Sequence, residues 1–354
     1  MKFGLIGFGA WGRYHASSIA SLSGLELLRI ACQSEASASA ARAAWPKAIV
    51  TTRWEDVVTD PSIDVVDIVL PNHMHAEVAC AALAAHKDVL LEKPLATSRE
   101  ECDRIVRATR ASRGVLSVGH EFRLSTQWGH AKKLIDENAI GEPLWVNVNL
   151  FRNFYRSGAD GWRYDKTRVG SWILEEAVHF FDFALWYLER HGDPVSIRTH
   201  GRRRPGHDEV MVDVCSSVLS FSNGAYATIN QCVAGFEHHL ILEIAGTEGA
   251  IRTTWSGAMD RDHHPNFDFR VQVRDFPFER GVRESEHLSL AASGEVYELT
   301  EQIRLTAQSF RERRPLVSAE ESRKRVLCCL AAERSLAEQR DVALDFSAPL
   351  TQTE

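Results

Sequence analysis

The chain opens on a short apolar run that leads directly into a glycine-punctuated turn. Residues 2–6 read KFGLI, and a GxGxxG pattern follows them in front of a helical stretch. Glycines at these three places permit a tight turn, a close approach of the backbone to a pyrophosphate, and close helix–strand packing. The combination predicts a dinucleotide-binding βαβ unit. The predicted cofactor loop is Gly7, Phe8, Gly9, Ala10, Trp11 and Gly12.

The rest of the first third repeats this alternation of short apolar runs and helical patterns. Such a rhythm predicts a parallel sheet with helices on its faces, which is a Rossmann domain over residues 1–119. Apolar residues at helical spacing predict crossover helices at 76–85 and 99–112. The candidate strands are 2–6, 25–32, 65–70, 88–91 and 114–118.

Beyond a helix predicted at 126–137, strand-like runs follow one another with only turn signals between them. We therefore expect residues 120–354 to form an α+β domain with an open, mainly antiparallel sheet, interrupted by a helix at 172–190 and closed by one at 320–339. Asn223-Gly224 predicts a tight hairpin turn. An exposed apolar sheet face would favour a homodimer or homotetramer. The candidate strands are 144–151, 196–199, 210–221, 225–232, 239–245 and 250–254.

Composition narrows the possible partners. The net charge of −7 and pI near 6.1 give no basic surface for nucleic acid, and no apolar stretch reaches the roughly 18 residues of a membrane span. The opening residues lack an export signal, so we expect a cytoplasmic location. Seven scattered cysteines predict reduced thiols, and His73 with His75 is too small a set to predict a metal site. A small metabolite is the expected partner.

The second predicted strand ends where an acidic residue commonly binds the ribose of the cofactor. Gln33 and Ser34 occupy this place, and Glu35 follows. Glu35 would repel a 2′-phosphate, and no Arg or Lys is adjacent in sequence, which favours NAD slightly over NADP. Both cofactors stay open at this point.

Two further segments follow predicted strands at the edge where open α/β sheets bind ligands. Pro71, Asn72 and His75 come after one strand, and are predicted to border the nicotinamide, with a helix-capping turn as the alternative. Glu92 and Lys93 end the next strand ahead of a proline. Lys93 is predicted to point into the crevice rather than to be a solvated surface charge.

A helical segment carries a third candidate group. Glu175 and His179 are four residues apart, so an α-helix would place them on one face, with Asp182 nearly in line. A histidine titrating near neutral pH can exchange the proton that accompanies hydride transfer. The alternative is a buried histidine in a core helix that also contains Trp172 and Phe180.

Several motifs together resemble the glucose-fructose oxidoreductase, inositol dehydrogenase and MocA family (Gfo/Idh/MocA) across nearly the whole chain. Members combine a Rossmann domain with an open antiparallel sheet and commonly oxidise sugars, inositols or related polyols with NAD(P). Glu175 stands where the family usually has Asp, and Ala177 where it often has Gly. The motifs are GFGAWG, PNHMHAE, EKP, RLS at 123–125, IGEP at 140–143, WRYD at 162–165, EEAVHFFD and GTEG at 246–249.

The resemblance implies that His179 is the acid/base, that Lys93 orients the substrate oxygen, and that Glu175 positions substrate or imidazole. The aromatic and basic stretch 151–156 is an expected wall of the sugar site, with an edge strand as the alternative. The expected substrate-binding residues are Lys93, Arg123, Arg152, Tyr155, Trp162, Arg163, Glu175 and His179. An imine or biliverdin-type reductase, an NAD-assisted glycosidase and a cofactor-sensing regulator without turnover are the competing hypotheses.

Overall fold

A computed structural model describes residues 1–154, 156–203, 212–259, 261–273 and 285–346. Two sheets organise these residues, and the first has six parallel strands in the order β3-β2-β1-β4-β5-β6. This confirms the predicted Rossmann architecture. The strands are β1 (Lys2–Ile6), β2 (Glu26–Ala31), β3 (Ile49–Thr51), β4 (Val65–Ile68), β5 (Asp88–Glu92) and β6 (Leu116–Gly119), and the helices are α1 (Ala10–Ser21), α2 (Glu35–Ala44), α3 (Glu55–Val58), α4 (His75–Ala84) and α5 (Arg99–Ala111).

The second sheet has nine strands in the order β14-β13-β12-β11-β7-β10-β9-β8-β15. Its strand pairs are antiparallel except β7 with β10, which run parallel. The sheet is therefore mixed but mainly antiparallel, as predicted. The strands are β7 (Pro143–Phe151), β8 (Ser196–Arg202), β9 (Val214–Ser220), β10 (Tyr226–Cys232), β11 (His238–Gly246), β12 (Gly249–Gly257), β13 (Asn266–Val273), β14 (Glu286–His287) and β15 (Val342–Ala343).

Five α-helices follow β6 in the described residues. The predicted helix at 126–137 is α6, and the predicted terminal helix is α10. The predicted helix at 172–190 is in fact two pieces, because a turn of π-helix at Ile173–Ala177 precedes α8. The helices are α6 (Trp128–Asp136), α7 (Lys166–Val169), α8 (Val178–Tyr187), α9 (Glu295–Arg311) and α10 (Ala319–Glu338).

The Asn223-Gly224 turn joins β9 to β10 as predicted. Gly224 has φ +91°, a conformation that glycine adopts without strain, and the Phe221 amide donates a 2.9 Å hydrogen bond to the Ala225 carbonyl across the turn. The hairpin places Val218 and Tyr226 on the outer face of the second sheet.

The two faces of the second sheet differ in chemistry. The inner face buries Val148 of β7 against Phe180 and Phe183 of α8. On the outer face, Asn147 accepts a 2.7 Å hydrogen bond from Thr228 and donates one of 3.1 Å to Glu243. The centre of this face is therefore polar, whereas an exposed apolar face was expected from the sequence. Its exposed apolar members include Val214, Val218 and Tyr226.

Helix α9, which the sequence patterns above do not predict, returns to the first sheet. Ile303 and Phe310 are fully buried in the same cluster as Phe3 and Leu5 of β1, and α9 contacts α1. The division into residues 1–119 and 120–354 stays a prediction, and one helix of the second segment packs in the core of the first.

In the described ranges, no helix combines the length and apolar character that a membrane crossing requires. All seven cysteines are free. No cluster of three or more His, Cys, Asp or Glu side chains suited to a metal occurs in the part of the chain that the structure describes.

Phe310→Ala should lower the free energy of unfolding by about 3–5 kcal/mol, because it removes a fully buried aromatic ring from the core shared by α9 and the first sheet. Chemical denaturation measures the change. Arg311→Ala, an exposed substitution on the same helix, is the control and should change stability by less than about 0.5 kcal/mol. Equal effects of the two substitutions would show that α9 does not pack as described.

Candidate active site

The glycine loop between β1 and α1 has the shape that a pyrophosphate requires. Gly7 has φ +104°, and a Cβ there would lie 2.0 Å from the Val69 carbonyl oxygen. A Cβ on Gly12 would lie 2.0 Å from the Gly7 carbonyl oxygen, whereas one on Gly9 would meet no described atom within 4 Å. Two glycines thus close the turn, and the third leaves open space in front of the N-terminus of α1. This cradle fits a dinucleotide phosphate.

The other residues of this loop are held by cation–π contacts. Phe8 is buried under the Arg13 guanidinium at 4.7 Å from the ring centroid, and Trp11 lies 4.7 Å from the guanidinium carbon of Arg261. Ala10 is exposed at the start of α1. Because Arg261 follows β12, the second half of the chain covers one side of the cofactor loop.

At the end of β2, the side chains predicted to bind ribose already have partners. Gln33 Nε2 donates a 2.8 Å hydrogen bond to Asp160 Oδ2, and the Ser34 hydroxyl caps α2 by accepting from the Ser37 amide. Glu35 forms a salt bridge with Arg42. Arg42 lies two helical turns along α2, so an arginine reaches Glu35 although none is adjacent in sequence.

A buried charge cluster lies behind the strand ends. His15 of α1 is fully buried, with Nδ1 2.8 Å from Asp67 Oδ2 and Nε2 3.1 Å from Glu92 Oε1. Burial alone would lower the pKa of His15, but the two carboxylates outweigh it and raise that pKa to about 10. The imidazolium thus fixes Glu92 from behind, one residue before Lys93.

Lys93 connects the first sheet to the π-helical turn. Its Nζ donates a 3.0 Å hydrogen bond to the Glu175 main-chain carbonyl. Burial would lower the pKa of Lys93, yet the carboxylates of Glu175 and Glu176 raise it above the ordinary value. Lys93 is therefore a cation at neutral pH, and its place in a cofactor crevice stays a prediction.

The Glu175 carboxylate is held by two groups from different parts of the chain. Asn72 Nδ2 donates to Oε2 at 3.0 Å, and Arg163 Nε donates to Oε1 at 2.8 Å. Burial would raise the pKa of Glu175, but the charges of Arg163 and Lys93 lower it. Asn72 does not cap a helix, since its amide also donates to the Val169 carbonyl at 3.0 Å.

His179 is buried beside this group. Its ring stacks on Phe122 with centroids 4.5 Å apart, and its Nε2 lies 4.0 Å from Glu121 Oε1. Nδ1 has no hydrogen-bond partner among the described residues. Burial, Lys93 and His120 lower the pKa of His179 well below its ordinary value. His179 is thus a neutral imidazole with an unused nitrogen, which is the state that a general base requires.

The structure gives other predicted residues structural partners. All three guanidinium nitrogens of Arg123 bind carboxylates, two of them at Asp182 and one at Glu321, which does not support a substrate contact. Asp182 thus pairs with arginine rather than with His179. His75 is fully buried, with its ring nitrogens 2.7 Å from the Pro94 and 2.9 Å from the Leu70 carbonyl oxygens, so it shapes the loop and does not face a cofactor.

Three of the remaining candidates have the following surroundings. Arg152 donates a 2.8 Å hydrogen bond to Glu176, and Trp162 is buried beneath the Arg163 guanidinium at 4.5 Å. Pro71 is half-buried at the turn before Asn72. Tyr155 lies outside the described residues.

Sequence patterns missed Glu121, His15 and Asp160. Glu121 follows the end of β6, just as Lys93 follows the end of β5. Its place after a strand could therefore have identified it as a candidate. His15 reads as an ordinary helical residue three positions beyond the last glycine. Asp160 approaches Gln33 from 127 residues away, so no local pattern could reveal it.

A six-stranded parallel sheet, an open glycine cradle, and a lysine and histidine gathered at the strand ends define a dinucleotide-dependent oxidoreductase. Residues 1–120 match the model of the oxidoreductase family with an NAD-binding Rossmann fold, and residues 128–252 match the GFO/IDH/MocA C-terminal domain. The chain belongs to this Gfo/Idh/MocA family and is an NAD(P)-dependent oxidoreductase.

Named relatives extend the comparison. Levoglucosan dehydrogenase of Pseudarthrobacter phenanthrenivorans is 32% identical over 71% of this chain and 73% of that protein. Myo-inositol 2-dehydrogenase of Thermotoga maritima is 25% identical over 98% of this chain and 99% of that protein. A levoglucosan dehydrogenase solved with NADH and L-sorbose has a TM-score of 0.83 at 24% identity, covering 98% of this chain and 99% of that chain, and supports the fold.

Proposed function

We propose that the chain oxidises a hydroxyl group of a sugar, polyol or sugar derivative, with His179 as acid/base and Lys93 orienting the substrate oxygen. The observation that carries this proposal is the buried, neutral His179, whose two ring nitrogens make no hydrogen bond among the described residues and whose pKa is lowered in part by the nearby Lys93 ammonium. Relatives named levoglucosan dehydrogenase and inositol 2-dehydrogenase support a polyhydroxylated substrate.

The cofactor residues proposed are those of the glycine loop, together with Gln33, Ser34, Asn72 and the strand end at Glu92 and Lys93. Bound nicotinamide supplies the hydride acceptor for alcohol oxidation. The fit rests on the open space at Gly9 and on the uncapped N-terminus of α1, whose first turn contains no acidic residue.

The chain's own groups account for the proton. Neutral His179 accepts the proton of the substrate hydroxyl, and the Lys93 ammonium, fixed by the Glu175 carbonyl, stabilises the negative charge that develops on that oxygen. Glu175 stays ionised between Asn72 and Arg163 and can accept hydrogen bonds from neighbouring hydroxyls. Burial of both His179 and Glu175 keeps water away from the group.

Lys93→Ala and His179→Ala should each lower kcat at least about 100-fold, because they remove charge stabilisation and the base. The measurement is absorbance of reduced nicotinamide against a panel of aldoses, inositols, anhydrosugars and sugar acids. Lys47→Ala and His200→Ala, exposed residues of the same types, are the matched controls and should keep wild-type rates.

Loss of activity in the controls as well would point to a folding effect. Cofactor binding without turnover by the wild type would count against dehydrogenation and favour a regulator. Release of sugar without net change in nicotinamide absorbance would instead indicate a glycosidase.

We infer a preference for NAD over NADP from Asp160. Its carboxylate accepts a hydrogen bond from Gln33, the residue at the ribose position, and adds negative charge there, while the Arg42 cation is paired with Glu35. A carboxylate accepts hydrogen bonds from ribose hydroxyls and repels a 2′-phosphate. The second half of the chain would thus supply the acidic group that β2 lacks.

Asp160→Ala should weaken NADH binding several-fold and narrow the preference over NADPH, as measured by fluorescence titration of both cofactors. Asp165→Ala, an acidic residue on the same segment that caps α7, is the control and should leave the NADH to NADPH ratio unchanged. An unchanged ratio in Asp160→Ala would contradict the role assigned to this carboxylate.

We also propose that copies of the chain associate as a dimer or tetramer through the outer face of the second sheet, where Val218 and Tyr226 are 37% and 42% exposed. Light scattering should give a multiple of 39.7 kDa for the wild type and a lower mass for the double variant Val218→Lys/Tyr226→Lys. A monomeric wild type at working concentration would refute this association.

A further inference from the structure

Glu121 is a buried acid to which the proposed reaction assigns no role. It begins a 3-10 turn, Glu121–Leu124, immediately after β6, and it is 2% exposed. Its Oε2 has no hydrogen-bond partner among the described residues. A buried carboxyl oxygen without a hydrogen-bond partner costs free energy. Such an oxygen in a native structure is therefore a candidate contact for a bound ligand, which would supply the missing hydrogen bond.

The groups around Glu121 come from every neighbouring element. Glu92 and Lys93 lie at the end of β5, Glu295 begins α9, and His179 is on α8. Burial, together with the negative charges of Glu92 and Glu295, raises the pKa of Glu121 well above its ordinary value, and the Lys93 cation opposes this only in part. These effects favour the protonated form of Glu121, which can donate a hydrogen bond.

The distance to His179 suits a bridging atom. The 4.0 Å between Glu121 Oε1 and His179 Nε2 is too long for a hydrogen bond, yet one oxygen could lie about 2.8 Å from both atoms. Phe122, the next residue, stacks on the imidazole and fixes this separation. A hydroxyl or carbonyl oxygen between them would satisfy both polar groups.

We propose that Glu121 is a further catalytic residue, whose carboxylic acid donates a hydrogen bond to the same substrate oxygen that His179 deprotonates. This rests on the proposed function. In alcohol oxidation the hydroxyl proton passes to His179, the hydride leaves the carbon for the nicotinamide, and Glu121 keeps its own proton throughout while bonded to the developing carbonyl oxygen. An ionised Glu121 could not donate and would repel negative charge on that oxygen.

The pH dependence follows from these protonation states. Oxidation requires neutral His179, which sets the acidic limb of kcat/KM, and protonated Glu121, which sets the alkaline limb. Glu121→Gln keeps a hydrogen-bond donor that does not ionise, so this variant should retain activity near pH 7. Its alkaline limb should move to higher pH, where deprotonation of Lys93 becomes the limiting step. Glu121→Leu removes the donor and should lower kcat about 100-fold.

Profiles of kcat and kcat/KM against pH for the wild type, Glu121→Gln and Glu121→Leu test this. Glu298→Gln is the matched control, because Glu298 is another buried acid whose pKa is raised, to about 7, but it binds the Gly294 amide at the start of α9. The control should leave the alkaline limb unchanged. An alkaline limb that is the same in the wild type and Glu121→Gln overturns the proposal.

A second readout is independent of turnover. The infrared difference spectrum of the wild type minus Glu121→Gln at pH 7, without cofactor or substrate, should contain the carbonyl band of a protonated carboxylic acid. Absence of the band overturns the proposal even if turnover is found. If the band is present but the wild type oxidises no compound of the panel, the proposed function and the contact between Glu121 and substrate are both overturned. The protonated state of Glu121 would then be the only part of the proposal that is supported.

Discussion

The hydrogen bond from Lys93 Nζ to the Glu175 carbonyl joins the two halves of the chain at the site. Lys93 ends a strand of the first sheet, and Glu175 lies in the π-helical turn that leads into α8 under the second sheet. The ammonium can be buried here because carboxylates surround it, and those carboxylates can be buried because the ammonium is present. Position and charge state of the whole group therefore depend on one another.

This mutual dependence separates the protonation states of neighbouring side chains. Glu175 lies between Arg163 and Asn72 and stays ionised, whereas burial and the charges of Glu92 and Glu295 raise the pKa of Glu121 and favour its protonated form. Environments that push the pKa values of nearby acids apart are characteristic of sites that use acid and base together. Behind them, His15 carries the positive charge that lets Asp67 and Glu92 be buried close together, so the strand ends keep one geometry.

Most of the first sheet could be predicted because it is encoded locally. The glycine loop, the strand at Val65–Ile68 and Lys93 after β5 all follow from short-range patterns, and the structure contains each of them. The Glu175–His179 pair was harder. Spacing of four residues implies a shared face only in an α-helix, and the π-helical turn at Ile173–Ala177 directs Glu175 to Asn72 and Arg163 instead.

Long-range contacts account for the rest of what the sequence patterns missed. Helix α9 has buried apolar residues at helical spacing, among them Leu299, Ile303 and Phe310, so the helix itself could have been predicted, but its packing partner β1, almost 300 residues earlier, could not. Asp160 reaches Gln33 only through the path of the loop before α7. Arg123, by contrast, matched a family motif but binds Asp182 in the interior, which shows that a motif match does not by itself make a residue a ligand contact.

The balance of charge around the site also bears on the proposed substrate. Arg163 is matched by Glu175 and Arg152 by Glu176, so neither cation is left to neutralise a phosphate or carboxylate group. Lys93 alone faces several acidic side chains. An anionic substrate would have to displace one of these pairs, and breaking a buried ion pair is costly. An uncharged polyol would break no such pair at the proposed site, which is consistent with a proposed substrate that is a neutral sugar rather than a sugar phosphate.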